Sequence, residues 1–88
     1  MMKKILKFSA NMCGACRRYE KTFDAIKYEL PDYEFIAYDA TVDRDKFEEY
    51  QIVGMPTTVI INNGVEEKRI EGYMSVEELQ KFISNEKL

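Results

Sequence analysis

The apolar positions along this chain switch between two periods, and the switches mark its elements. Lys3–Phe8 is a short β-prone run containing Ile5, Leu6 and Phe8, which predicts a first strand. Cys16, Tyr19, Phe23, Ile26 and Leu30 then recur at steps of three and four, the stripe of an amphipathic helix packed on a sheet. Pro31 closes that helix, because the residue before a proline is pushed out of helical geometry. Tyr33–Tyr38 reads as a second strand. The helix between the strands is long enough for a crossover, so they are expected to be parallel neighbours joined right-handedly. A shorter helix is expected over Asp43–Tyr50, with Val42, Phe47 and Tyr50 on its apolar side.

Thr57–Ile61 is almost entirely β-branched and is the strongest strand signal in the chain. Asn62-Asn63-Gly64 suits a tight turn, so Val65–Ile70 should return antiparallel, with its charged run defending an exposed edge. Gly72 bends the chain. Ser75 and Glu78 have the spacing of a capping box, and Val76, Leu79, Phe82 and Ile83 give a last helix its inner face. The order is βαβαββα. It predicts an α/β fold in which a mixed four-stranded sheet is flanked by three helices, in one domain over residues 1–88.

Composition narrows the function classes. A net charge of −3 argues against general nucleic-acid affinity, which rewards a surplus of Lys and Arg. The charge is uneven: residues 1–21 carry six basic groups and one acid, whereas residues 22–50 carry three and nine. The first residues resemble a signal peptide until Lys7 interrupts the apolar stretch, and nothing approaches a membrane span. A cytoplasmic location is expected, where a cycling dithiol is more natural than a permanent staple.

The two cysteines stand together in Met12-Cys13-Gly14-Ala15-Cys16. Structural zinc wants four ligands, and with no histidine and no second such pair, only two chains sharing an ion could supply them. A passive staple is the second reading, although so short a loop gains little chain entropy. The third reading uses position. Cys13 lies where a helix begins, and unpaired backbone N–H groups there favour a thiolate, the form that attacks disulfides. Arg17 and Arg18 add positive potential. Cys16 sits one turn further in, on the buried stripe, placed to resolve a mixed disulfide. Cys13 is thus the expected nucleophile, Cys16 the resolving thiol, and their redox-active disulfide needs no cofactor. Gly14 lets a substrate approach the backbone, and Ala15 leaves the way open. Tyr38 and Asp39 end a strand, where Asp39 is read first as a turn or cap. A hydrolytic site finds no paired carboxylates.

Pro56 directly precedes the best strand. It can simply end a connection; a cis Met55–Pro56 bond would instead present the Met55 backbone to the cysteines, with Gly54 giving room.

With these motifs together (the element order, CGAC at a helix start, GMPTT opening the third strand, and the NNG hairpin followed by Gly72) the whole chain resembles the thioredoxin family in a short thioredoxin or glutaredoxin-like form. The resemblance implies a protein-disulfide oxidoreductase with roles for Cys13, Cys16 and a cis Pro56, and it implies that the Met55 backbone meets bound peptide. Tyr73, after Gly72, becomes a possible partner contact. Implied partners are protein disulfides, with a thioredoxin reductase-like enzyme or glutathione for recharging, and a monomer working away from membranes. Met12 stands where thioredoxins usually carry tryptophan, and Ala15 where they carry proline. Lys7 stands where they bury an acid; it is read first as pointing to solvent, with electrostatic tuning of the site as the alternative. Glutaredoxin-like activity is the runner-up, since CGAC, Gly54-Met55-Pro56 and Glu71-Gly72-Tyr73 depart from the glutaredoxin motifs. A non-catalytic redox-sensing or binding module is the alternative of another class.

Overall fold

A computed structural model describes residues 3–84. Seven elements follow in the expected order: β1 (Lys3–Ser9), α1 (Gly14–Lys27), β2 (Tyr33–Asp39), α2 (Arg44–Glu49), β3 (Thr57–Asn62), β4 (Val65–Glu71) and α3 (Val76–Ile83). The sheet order is β2-β1-β3-β4. β1 pairs parallel with β2 and antiparallel with β3, and β3 pairs antiparallel with β4. The two central strands are the two most apolar runs, as strands covered on both faces require.

Period two divides the side chains between the faces. Ile5 and Ile60, directly paired, join Tyr19, Phe23 and Ile26 of α1 and Leu79 and Phe82 of α3 in one cluster. Leu6, Phe8, Val59 and Ile61 point the other way, where Phe47 and Tyr50 pack on them. The hairpin turn takes positive φ at both Asn63 (54°) and Gly64 (82°), the geometry whose twist matches the flanking strands. In the capping box, the Ser75 amide donates to Glu78 Oε1 at 2.9 Å and the Glu78 amide to Ser75 Oγ at 3.2 Å. β4 is an edge strand, and its exposed side chains include the Glu66–Arg69 ion pair.

Four local expectations fail, the first at Val76, which opens α3 exposed and not on its inner face. Helix α1 ends at Lys27, and Leu30 packs on the core from the segment beyond it. Val42 is exposed, because α2 begins only at Arg44 and leaves Val42 in the preceding turn. Lys7 does not point to solvent: only 4% of it is exposed. Its strand is buried on both faces, so alternation sends Lys7 inward beside Ile5, with Nζ 5.0 Å from the centre of the Phe23 ring.

Candidate active site at the start of α1

β1 carries the chain up to Ser9, and the next few residues turn it into α1. The Cys13 amide donates to Ala10 O at 3.2 Å, which closes that turn. Cys13 is the N-cap residue, with extended φ and ψ of −96° and 114°. Its carbonyl accepts the first helical bond from the Arg17 amide at 3.1 Å. The Cys16 amide points at Cys13 Sγ at 3.1 Å, so the sulfur occupies the place where a capping oxygen usually sits. Cys13 and Cys16 form a disulfide. No acidic side chain stands in the first turn to oppose negative charge there.

The two sulfurs belong to residues in different surroundings. Cys13 is half-buried at the surface, whereas Cys16 is 3% exposed on the stripe that continues through Tyr19 and Phe23. Attack from outside can therefore reach Cys13, while Cys16 stays behind it.

The Met55–Pro56 peptide bond is cis. Met55 O lies 3.8 Å from Cys13 Sγ, a contact in the oxidised state, where the sulfur has no proton to donate. Two bonds fix the segment behind it: Thr57 Oγ1 donates to Gly54 O at 2.6 Å, and the Gly72 amide donates to Pro56 O at 2.7 Å. Gly72 has φ of +106°, a conformation costly to any residue with a Cβ. The chain emerges from it at Tyr73, partly exposed and edge-on to Tyr19 at 6.4 Å, with the Arg18 guanidinium 5.6 Å from its ring centre.

Most of the expected site residues thus gather around the disulfide: Gly14 and Ala15 between the sulfurs, Met55 against Cys13, and Pro56 tied to Gly72. Met12 is almost fully exposed beside Cys13. Arg17 is turned to a different task from that expected, since its Nη1 donates to Asn11 O at 3.0 Å and braces the loop. Asp39 caps its own turn: its carboxylate accepts from the Thr41 amide at 2.8 Å and from the Thr41 hydroxyl. Those bonds hold its carboxyl below the usual range, and they occupy it away from the sulfurs.

Beneath Cys16 lies a polar pair that sequence reading missed. Tyr19 Oη and Thr58 Oγ1 are 2.7 Å apart, both residues fully buried. Burial pushes the Tyr19 phenol up to about 12, against the opposing effect of the Thr58 bond. Lys7 pairs with Thr58 across β1 and β3 and shares that face of the sheet. Among the described residues, no three His, Cys, Asp or Glu side chains are grouped to hold a metal ion.

The family model described as Thioredoxin matches residues 2–85. This chain belongs to the thioredoxin family. Thioredoxin H2 of Arabidopsis thaliana is 34% identical over 80 residues, which are 91% of this chain and 59% of that protein. The thioredoxin of Mycoplasma genitalium is 34% identical over 70 residues, 80% of this chain and 69% of its own length. The chain therefore spans about three-fifths to two-thirds of these thioredoxins. The solved thioredoxin of Fasciola hepatica superposes with a TM-score of 0.89 at 29% identity, covering 98% of this chain and 82% of that one. A short thioredoxin-like fold is what these matches share with the geometry above.

Proposed function

We propose that this thioredoxin-family chain is a small oxidoreductase that reduces protein disulfides by thiol–disulfide exchange through CGAC. The observation that carries the reading is the asymmetry of the pair, one cysteine reachable at a helix N-terminus and the other shielded one turn behind it. In the reduced state the α1 amides and the absence of an acid in its first turn favour the Cys13 thiolate. That thiolate attacks one sulfur of a substrate disulfide, forms a mixed disulfide and expels the other sulfur as a thiolate. Cys16 loses its proton to solvent and attacks Cys13 Sγ, breaking the bond to substrate and regenerating the Cys13–Cys16 disulfide. Two electrons pass to the substrate, and an external dithiol or two molecules of glutathione restore the pair.

The exposed Met12, the Met55 backbone and Tyr73 border the reactive sulfur and form the surface against which a substrate peptide lies. Pro56 and Gly72 hold that surface in place, and Gly14 and Ala15 keep the approach to the sulfurs low. Arg18 adds positive potential at its rim. A thioredoxin reductase-like enzyme recharges it, in keeping with a motif that departs from those of glutaredoxins. The setting is cytoplasmic, and residues 1–88 act as one monomeric catalytic unit. No described helix is long and apolar enough to cross a membrane.

The test is insulin reduction with dithiothreitol. The wild-type chain should accelerate it and Cys13→Ser should abolish the effect. Cys16→Ser should trap covalent mixed disulfides that Cys13→Ser does not form. Equal trapping by both variants would reverse or remove the assigned roles, and no acceleration by the wild type would leave a binding module in place of an enzyme.

A further inference from the structure

We propose that Arg18 is a specificity residue that selects protein disulfides carrying an acidic side chain beside the attacked half-cystine. The inference rests on the exchange reading above and names its substrate class. It begins from where a helical arginine points. Gly14 and Arg18 lie four apart on α1, hence on one face, and helical side chains lean toward the N-terminus. Arg18 accordingly reaches back beside Cys13: a Cβ placed on Gly14 would lie 4.0 Å from Arg18 Nη1. The same guanidinium sits 5.6 Å from the centre of the Tyr73 ring. It thus spans from the residue after the nucleophile to the aromatic ring that borders it.

This cation is held in place but not neutralised. A ring attracts a guanidinium without taking up its N–H donors. Among the described residues no carboxylate lies within ion-pair distance of Arg18; the ion pairs there are Lys46–Glu49 and Arg69–Glu66. Other charges around the site are committed or set apart. Arg17 donates to Asn11 O, Lys21 stands a turn further along α1, and Glu78 is tied into the capping box. Glu71 pairs with Thr57 on the α2 side of the sheet, and its Oε1 would meet a Cβ on Gly54 at 2.7 Å. Tyr73 packs on Tyr19, on the α1 side. Met12, Met55 and Tyr73, which border Cys13, carry no charge. A peptide laid along Met55 therefore meets apolar side chains, a cation on the Tyr73 side and an anion behind Gly54.

A guanidinium fork binds a carboxylate through two parallel N–H···O bonds, an interaction a neutral side chain does not match and an ammonium opposes. An Asp or Glu next to the half-cystine places its carboxylate at Arg18 while its neighbour's sulfur meets Cys13. The exchange step is unchanged: Cys13 Sγ bonds to one substrate sulfur and the other leaves as a thiolate. Arg18 exchanges no proton or electron.

The test uses three synthetic peptides with one disulfide each, identical except for Glu, Gln or Lys beside the attacked half-cystine. Their kcat/KM with the reduced protein is divided by their rate with dithiothreitol, which removes intrinsic reactivity. Wild type should prefer Glu to Lys by on the order of tenfold, with Gln between, mostly through KM. The ratio should shrink in about 0.5 M salt. Arg18→Gln should bring it to near one, Arg18→Lys should restore part of it, and Arg18→Glu should invert it. A ratio is unaffected by any change in Cys13 reactivity, which acts on all three peptides alike. Equal wild-type rates, or a preference that survives Arg18→Gln, would overturn the proposal. So would Arg18→Gln slowing only glutathione disulfide, since the carboxylate recognised would then be that of glutathione. Wild type that reduces none of the three would remove the exchange reading and this inference with it, whereas equal rates remove this inference alone.

Discussion

The two faces of one sheet are built from different materials. On the α2 side, Phe8 is fully buried and its ring touches Tyr38, Phe47 and Tyr50 at centroid distances of 5.2, 5.1 and 5.4 Å. Helix α2 itself buries no residue completely, so this face depends on half-exposed rings leaning on Leu6, Phe8, Val59 and Ile61. On the α1 side, two longer helices close an apolar cluster at one end, but the end toward the disulfide contains Lys7, Thr58 and the Tyr19 phenol. Buried polar groups reduce stability unless satisfied, and here the Tyr19 phenol and the Thr58 hydroxyl satisfy each other at 2.7 Å. The α2 face is for holding the sheet together. The α1 face does that and also carries the disulfide at one end.

The largest effect expected from this contrast is on the apolar side. Phe8→Ala should destabilise the protein by about 3–5 kcal/mol in urea unfolding, since a fully buried ring is lost from among three others. The folded fraction should keep the wild-type redox equilibrium with glutathione. A cost under about 2 kcal/mol, or a displaced equilibrium, would erase the division of labour between the faces.

Sequence alone carried the fold well because its strongest signals were periodic. The stripe from Cys16 to Ile26, the β-branched run at Thr57–Ile61, the Asn63-Gly64 turn and the Ser75–Glu78 box each point to one local geometry, and each is present. The thioredoxin resemblance added the cis bond at Pro56, which no periodicity encodes. The errors came where two readings shared one pattern. Val42 looked like part of an apolar helix face, but the turn at Asp39–Thr41 leaves it before the helix begins. Lys7 was read by residue type as solvated. Its neighbours Ile5, Leu6 and Phe8 alternate in both directions, which is the mark of a strand covered on both sides, and such a strand has no solvent to offer a lysine. The Tyr19–Thr58 bond joins residues 39 apart and has no local signature.

Alkaline pH sharpens the comparison on the polar side. Tyr19 has an ordinary value of 10.0 when unfolded and is held near 12 by burial when folded. Below pH 10 both states are protonated and the shift has no effect. Between about 10 and 12 the unfolded chain releases the proton while the folded chain keeps it, so stability falls as pH rises, by on the order of 2–3 kcal/mol in all. Tyr19→Phe lacks this group but retains every other tyrosine and lysine, so the wild-type minus Tyr19→Phe difference in unfolding free energy should show that slope. A difference flat across this range would mean the phenol is not shielded, and the polar end of the α1 face would be wetter than described.

The smallest effect isolates the hydrogen bond itself. Tyr19→Phe leaves the Thr58 hydroxyl buried without this partner, and Thr58→Val does the same to the phenol, so each single change should cost about 1–2 kcal/mol. Removing both leaves neither group stranded. The double variant should therefore cost less than the two singles together, with a coupling of about 1 kcal/mol in urea unfolding. Strict additivity would show that each hydroxyl finds another partner when its own is taken away. The pair would then be incidental to the face, and Lys7 would be the main polar feature separating the α1 side from the aromatic packing opposite.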